Sequence, residues 1–263
     1  MPFEILAPAD RERMRVAGRM AAATLRAIGL EIRPGMTTAD IDARVRADTR
    51  ARGGVPSQLG YHGFPAAVCT SVNEVVCHGI PSPQRALRDG DIVNVDVTTY
   101  VGGFHGDTSA TFFVGEPSPE ARHLVETARR CRDAGIAVVR HGARLGDIGA
   151  AVEELARAAG LSVVRDFGGH GIGREMHQAP HVSHVGRRGA GPRLVAGMAI
   201  TIEPMLNLGR ADVIIANGEW NVVTADGSWS AQFEHTLLVE RDGAEILTLP
   251  GPDALSDVRS AAP

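Results

Sequence analysis

GDIVNVD at residues 90–96 and GMAITIE at residues 197–203 are the two stretches from which the fold of this chain can be read. In the first, Val93, Val95 and Val97 alternate with Asn94 and Asp96, the period of a strand with one apolar face, so Asp96 is expected on the face opposite the valines. The second stretch has the same form and ends on Glu203. A shift of 107 residues superposes the two, and it also lays IRPGMTTADIDA (32–43) over VRHGARLGDIGA (139–150), matching Arg33, Gly35, Asp40, Ile41 and Ala43 with Arg140, Gly142, Asp147, Ile148 and Ala150. A shift of 108 pairs His62 and Gly63 with His170 and Gly171. Self-similarity at one period implies two related halves, and hence a pseudo-two-fold domain with a site between them.

The elements around these stretches repeat in order. Residues 9–29, with Asp10 as their cap, and a segment from Thr38 to Gly53-Gly54 carry helical periodicity. DIVNVDVTTYV (91–101) and FHGDTSATFFV (104–114) follow as a hairpin around Gly102-Gly103. Two more helices are expected over 118–140 and 145–159, and strands over 199–203, 212–216, 219–224, 232–240 and 245–249, with a loose tail from Pro250. The expected organisation is a single α/β domain over residues 1–263, with antiparallel sheets flanked by helices and repeats of about 9–115 and 118–249.

Composition excludes several function classes. The 27 basic and 31 acidic residues leave a formal charge of -4, which gives no electrostatic case for nucleic acid or an anionic membrane as partner. No run approaches the roughly 18 apolar residues of a membrane span. All basic residues are arginine, so a lysine Schiff base and a P-loop lysine are both impossible, and neither HExxH nor GxSxG occurs. Cys69, Cys77 and Cys131 form no CxxC pair and are odd in number, which fits reduced thiols and a cytoplasmic location.

Chemistry concentrates on Asp96, Asp107, His170, Glu203 and Glu234. Carboxylates are poor strand residues, yet VNVDVT, FHGDTS, ITIEPM and AQFEHT each carry one inside an apolar or uncharged stretch. One such acid alone is more often solvent-facing. Four of them in two related hairpins would converge when the halves close, and their repulsion would force protonation unless cations compensated it. Two divalent cations carry the matching charge. With His170 of FGGHGIG added, the donor set is rich in oxygen and poor in nitrogen, suited to Mn, Fe, Co or Zn and unlike a thiolate-bound structural zinc. His78 in VVCHGIP and His177 in REMHQAP are the next candidates, as groups that could orient a substrate and stabilise developing charge.

GYHGFP, SVNEVVCHGIP, DIVNVDVT, GFHGDTS, GGHGIGREMHQAP, TIEPM and SAQFEHT, in that order across residues 60–236, resemble the signature segments of bacterial type I methionine aminopeptidases. The resemblance implies the internally duplicated pita-bread fold and removal of the initiator methionine from nascent polypeptide N-termini when the second residue is small, by a hydroxide held between two metals. Asp96 and Asp107 would serve one metal and His170 and Glu203 the other, with Asp107 and Glu234 bridging them and Glu203 also taking a proton from the attacking water. His177 would bond the scissile carbonyl oxygen and His78 would lie near the scissile nitrogen. Tyr61, Phe64, Cys69, Met176 and Trp220 match the methionine pocket, and Asn73, Val75 and Ser230 match a site for Na or K. Gln58 stands where some relatives have cysteine, and Met176 where many have phenylalanine. The resemblance also implies a monomer that meets its substrates at the ribosome.

Two other readings share the architecture. An Xaa-Pro aminopeptidase or prolidase would have the same five ligands, but such enzymes usually carry a large extra N-terminal domain, whereas 95 residues precede Asp96 here. A non-catalytic binding protein on this fold would be expected to have lost ligands, and all five positions are filled.

Overall fold

The computed structural model describes residues 3–216, 218 and 220–250. Its first half runs α1 (Pro8–Gly29), α2 (Thr38–Ala51), β1 (Val55–Pro56), a 3-10 turn at Tyr61–Gly63, β2 (Cys69–Val72), β3 (Val75–Cys77), β4 (Ile92–Val101) and β5 (Phe104–Phe113). The second runs α3 (Pro119–Ala137), α4 (Leu145–Ala158), β6 (Ser162–Val163), β7 (Gly169–Gly171), β8 (Gln178–Val182), β9 (Ala199–Ile202), β10 (Met205–Asn207), β11 (Val213–Ile215), β12 (Val222–Thr224), β13 (Ser230–Gln232), β14 (His235–Val239) and β15 (Ala244–Ile246). The tail expected from Pro250 and the first residue of the strand expected over 219–224 lie outside the described residues, Pro250 itself excepted.

The alternation read from the sequence holds. Val93, Val95 and Val97 are fully buried in a cluster with Leu25 and Ile28 of α1 and Ile41 and Val45 of α2. Asn94 and Thr98, on the other face with Asp96, bond to Gln232 and Asp107. In the second half Ile200 and Ile202 of β9 are buried with Leu145 and Ile148 of α4, so each helical layer covers one apolar sheet face. The shift of 107 is visible as geometry. A β-bridge joins Thr37 to Ala86, and another joins Arg144 to Arg193. Gly35 donates to the Leu87 carbonyl at 2.8 Å, and Gly142 to that of Leu194 at 2.9 Å. An Asp40 carboxylate oxygen accepts the Thr37 N–H at 2.8 Å, and an Asp147 oxygen accepts that of Arg144 at 2.8 Å, so both helices begin on the same acid-closed turn.

Four expectations need correction. Asp10 does not cap α1: Ala7 occupies the N-cap with Pro8 following it, and Asp10 pairs with Arg13 and Arg174. Among the described residues the second half has no hairpin matching β4–β5, because β9 and β14 pair antiparallel but the chain between them makes β10 to β13. The strand expected over 232–240 is two strands broken at Phe233-Glu234, and the one expected over 199–203 ends at Ile202, so Glu203 and Glu234 both sit at breaks where the chain changes sheet. His62 and His170 are not equivalent. His170 lies on β7, which flanks β9 as β2 flanks β4, whereas His62 is in the turn before β2.

The halves meet along β5 and the chain at 232–236. Glu234 N–H donates to Ser109 O at 2.9 Å, while threonine hydroxyls complete the seam. Thr236 Oγ1 accepts from Asp107 N–H and donates to Asp107 O, and Thr108 Oγ1 donates to Glu234 O at 3.0 Å. This seam sets Asp107 beside Glu234. All three cysteines are buried and free.

Candidate metal centre

Asp96 and Asp107 reach the site from β4 and β5, where register places Asp107 opposite Thr98, whose hydroxyl donates to Asp107 Oδ1 at 2.7 Å. His170 comes from β7. Gly169 and Gly171 flank it, and a Cβ on either would lie 2.3 Å from Thr201 O or 2.2 Å from Ala179 O, so only glycine lets this strand approach its neighbours and present the imidazole. Glu203 leaves the end of β9 with its backbone N–H donated to Nε2 of the buried His184 at 3.0 Å. Its carboxylate accepts from Thr201 Oγ1 at 2.7 Å and from Gln232 Nε2 at 3.1 Å. The same Thr201 hydroxyl accepts the His170 N–H at 2.9 Å, tying the two side chains to one anchor.

The five groups converge. Ligand-capable atoms of Asp96, Asp107 and Glu234 lie within 4.8 Å of one another, as do those of His170, Glu203 and Glu234. A third group joins Asp107, His170 and His177. Glu234 belongs to both acid-rich groups and Asp107 links to both sides, the pattern of two adjacent cation sites sharing carboxylates.

The electrostatics of the metal-free chain are those of a site built for cations. Burial, with the charge of Asp107 second, raises Glu203 to about 8. Burial raises Asp107 to about 6 against the Thr98 hydrogen bond, and burial followed by neighbouring carboxylates pushes Asp96 and Glu234 well above the carboxylate range. Glu234 Oε1 is buried without a hydrogen-bond partner, a costly state for a carboxylate oxygen unless something cationic meets it. His170 Nδ1 lies 3.0 Å from the Gly171 carbonyl; donating its proton there leaves Nε2 bare, facing Glu203 Oε1 at 3.4 Å and Asp107 Oδ2 at 3.9 Å. Burial lowers His170 to about 3, so the imidazole is neutral and this lone pair is open to a cation. Divalent cations would satisfy the orphaned oxygen, the bare nitrogen and the clustered carboxylates together.

Beside this centre is a cavity of about 290 Å³ lined by Gln58, Tyr61, His62, Phe64, Cys69, His78, His177 and Trp220. Four of the five residues expected to form a side-chain pocket are on its wall. Met176 is buried in the loop that carries His177 but is not among the lining residues. His177 stands edge-on to His170, with ring centroids 4.3 Å apart, and its Nδ1 lies 2.9 Å from Tyr61 Oη. His78 has a positive φ of 57° and packs between Phe167 and Trp220. Away from the centre, Asn73 has φ 54° and its carbonyl accepts the Ser230 N–H at 2.8 Å, with Val75 opening β3 alongside. Ser230 Oγ is buried without a partner. His184, Thr201 and Gln232 were not singled out in the sequence; their roles depend on contacts that no spacing encodes.

The metallopeptidase family M24 model matches residues 12–241, and the chain belongs to that family. It is 50% identical over 245 residues to methionine aminopeptidase A of Synechocystis sp., an alignment covering 93% of this chain and 97% of that protein. Its structure matches that of methionine aminopeptidase from Rickettsia prowazekii with a TM-score of 0.92 at 44% identity, covering 94% of this chain and 100% of that one. Prolidase from Pyrococcus furiosus shares the fold, with a TM-score of 0.74 at 20% identity, but this chain covers 66% of its length.

Proposed function

We propose that this metallopeptidase removes the N-terminal methionine of polypeptides whose second residue is small, with Asp96, Asp107, His170, Glu203 and Glu234 holding two divalent cations, Co, Mn, Fe or Zn. The observation that carries this reading is the unpartnered Glu234 Oε1 at the junction of two ligand groups, beside a largely apolar cavity. When bound, such cations would activate a water, polarise the scissile carbonyl and neutralise the charge that develops on it. Glu203, held by Thr201 and Gln232 from two sides, is oriented to accept the proton of that water. His177 is positioned by Tyr61 to donate to the carbonyl oxygen as it gains charge, and His78 to meet the peptide nitrogen. The methionine side chain would lie against Tyr61, Phe64, Cys69 and Trp220, and its free amine would approach the cation held by Asp96, which limits cleavage to the terminal residue.

The two halves, about residues 9–115 and 118–249, act as one domain, since each supplies ligands to the same centre. Among the described residues no helix is long and apolar enough to cross a membrane. The substrates are nascent chains met at the ribosome in the cytoplasm by a monomeric enzyme, and Asn73, Val75 and Ser230 hold Na or K. Hydrolysis of Met-Ala-type, Met-Leu-type and Xaa-Pro peptides by protein loaded with Mn or Co tests the reading. Fast release of methionine from Met-Ala peptides alone is expected, whereas comparable turnover of Met-Leu, or preference for Xaa-Pro, would refute it.

A further inference from the structure

The outer edge of β4 is paired in two instalments. β1 covers Thr99 and Tyr100, and β2 covers Val93 to Asp96. Between them the chain leaves the sheet after Ser57, whose N–H donates to Thr98 O at 2.9 Å, and does not return until Cys69. The Thr98 N–H therefore faces a gap in the ladder that begins just past Asp96, the last residue of β4 in register with β2, and Thr98 is buried. The side-chain amide of Gln58, itself buried, closes the gap. Its Nε2 donates to Asp96 O at 2.8 Å and its Oε1 accepts the Thr98 N–H at 3.2 Å, so a side chain takes the place of a missing peptide group. The same Nε2 lies 3.4 Å from Asp96 Oδ1, within reach of the carboxylate as well as of its backbone.

We propose that Gln58 is a positioning residue for Asp96: by bridging the interrupted ladder it fixes the backbone and carboxylate of the residue that holds one of the two cations. The proposal rests on the reading of Asp96 as a metal ligand. A residue without an amide at this length leaves the buried Thr98 N–H unpaired and lets β4 relax around Asp96. Thiol, methyl or shorter amide side chains cannot span both partners. The effect should fall mainly on one cation, because His170, Glu203 and Glu234 are anchored by Thr201, Gln232, His184 and the β5 seam, none of which hydrogen-bonds Gln58, and the shared Asp107 is reached only through the Thr98 hydroxyl.

The test is a calorimetric titration of the metal-free parent, Asp96→Asn, Gln58→Met and Gln58→Asn with Mn(II), together with hydrogen exchange of the Thr98 amide in the metal-free proteins. Gln58→Met is of similar length and apolar; Gln58→Asn keeps the amide one methylene too short and serves if the first variant folds poorly. Both should weaken the binding constant that Asp96→Asn abolishes by about 10- to 100-fold, the usual effect of losing a partner that orients a ligand. The other constant should change much less, and Thr98 exchange should accelerate. Unchanged constants, or equal weakening of both, would overturn the proposal while leaving Asp96 a ligand. If Asp96→Asn itself left both constants intact, the ligand reading would fail and the proposal with it.

Discussion

Asp96 and Asp107 are carried by a continuous hairpin of two ten-residue strands, whereas Glu203 and Glu234 stand where the chain has just left one sheet for another. In the first half, register aims the acids, with Thr98 and Gln58 bonding to them: side chains alternate, the valines go to the helices, and what remains faces the seam. In the second half no ladder does this work, and a set of side chains replaces it. His184 holds the Glu203 backbone, Thr201 and Gln232 hold its carboxylate, and, as the one backbone contact among these, the carbonyl of Ser109 in the opposite half receives the Glu234 N–H. Two halves that share a repeated pattern thus place equivalent acids by different means. One is local and regular; the other depends on contacts distant in sequence.

The largest expected effect lies at the groups that the halves share. Asp107→Asn or Glu234→Gln removes a charge from both cation sites, so metal content and peptide hydrolysis should fall together, as metal analysis and steady-state kinetics on the same preparations would show. His177→Ala, which leaves all five ligands, should keep its metal while losing on the order of 10² to 10³ in kcat with KM less affected. If it lost metal as badly as Asp107→Asn, the separation of binding from catalysis would be wrong.

Smaller changes probe the two ways of holding an acid. Thr201→Val removes the anchor common to His170 and Glu203 and should weaken one cation by about 10- to 100-fold, measured by titration. Loss of both cations equally would contradict the division between halves. The clustered carboxylates also fix a sign for the pH dependence of the metal-free protein. Glu203 at about 8 and Asp107 at about 6 are raised above their unfolded values, so the native chain holds more protons and their contribution to stability is lost as pH rises toward 8. His170 and His184, lowered to about 3, act oppositely, but only below their unfolded value of 6.5. Between about pH 6.5 and 8.5 the metal-free protein should therefore melt at progressively lower temperature. Added Mn(II) should stabilise it more at the higher pH, since binding releases protons. A metal-free melting temperature that rose over this range would count against the buried carboxylate cluster.

The smallest effect concerns the matched helix starts. Thr37→Ala removes a hydroxyl that both accepts the Asp40 N–H and donates to its carboxylate, and should cost about 1 kcal/mol in chemical denaturation. Arg144→Ala at the equivalent turn leaves the backbone bond to Asp147 in place and should cost less.

What could be read from the sequence follows the same division. The 107-residue shift, the valine face of β4 and the five converging groups were legible because alternation, glycine placement and isolated acids are local signals, and Gly35 and Gly142, with φ of 87° and 85°, answer them. The breaks at Glu203 and Glu234 were not legible, since a chain that turns out of one sheet into another keeps strand-like composition on both sides. His184, Thr201 and Gln232 escaped for a related reason: each acts across a separation set by folding, and a buried threonine in a strand looks like any other. Gln58 was noticed as a departure within the pocket, but its contact with Asp96 depends on a gap between two edge strands that were themselves too short to anticipate.

The central claim, that both halves build one dinuclear peptidase site, is tested most directly by titrating metal-free protein with Mn(II) while following release of methionine from a Met-Ala-type peptide. Activity should be absent in chelator, rise with added metal and level off as the second equivalent binds, with Met-Leu-type peptides left uncut. Full activity in the presence of chelator, or saturating metal binding at two per chain without methionine release, would contradict it.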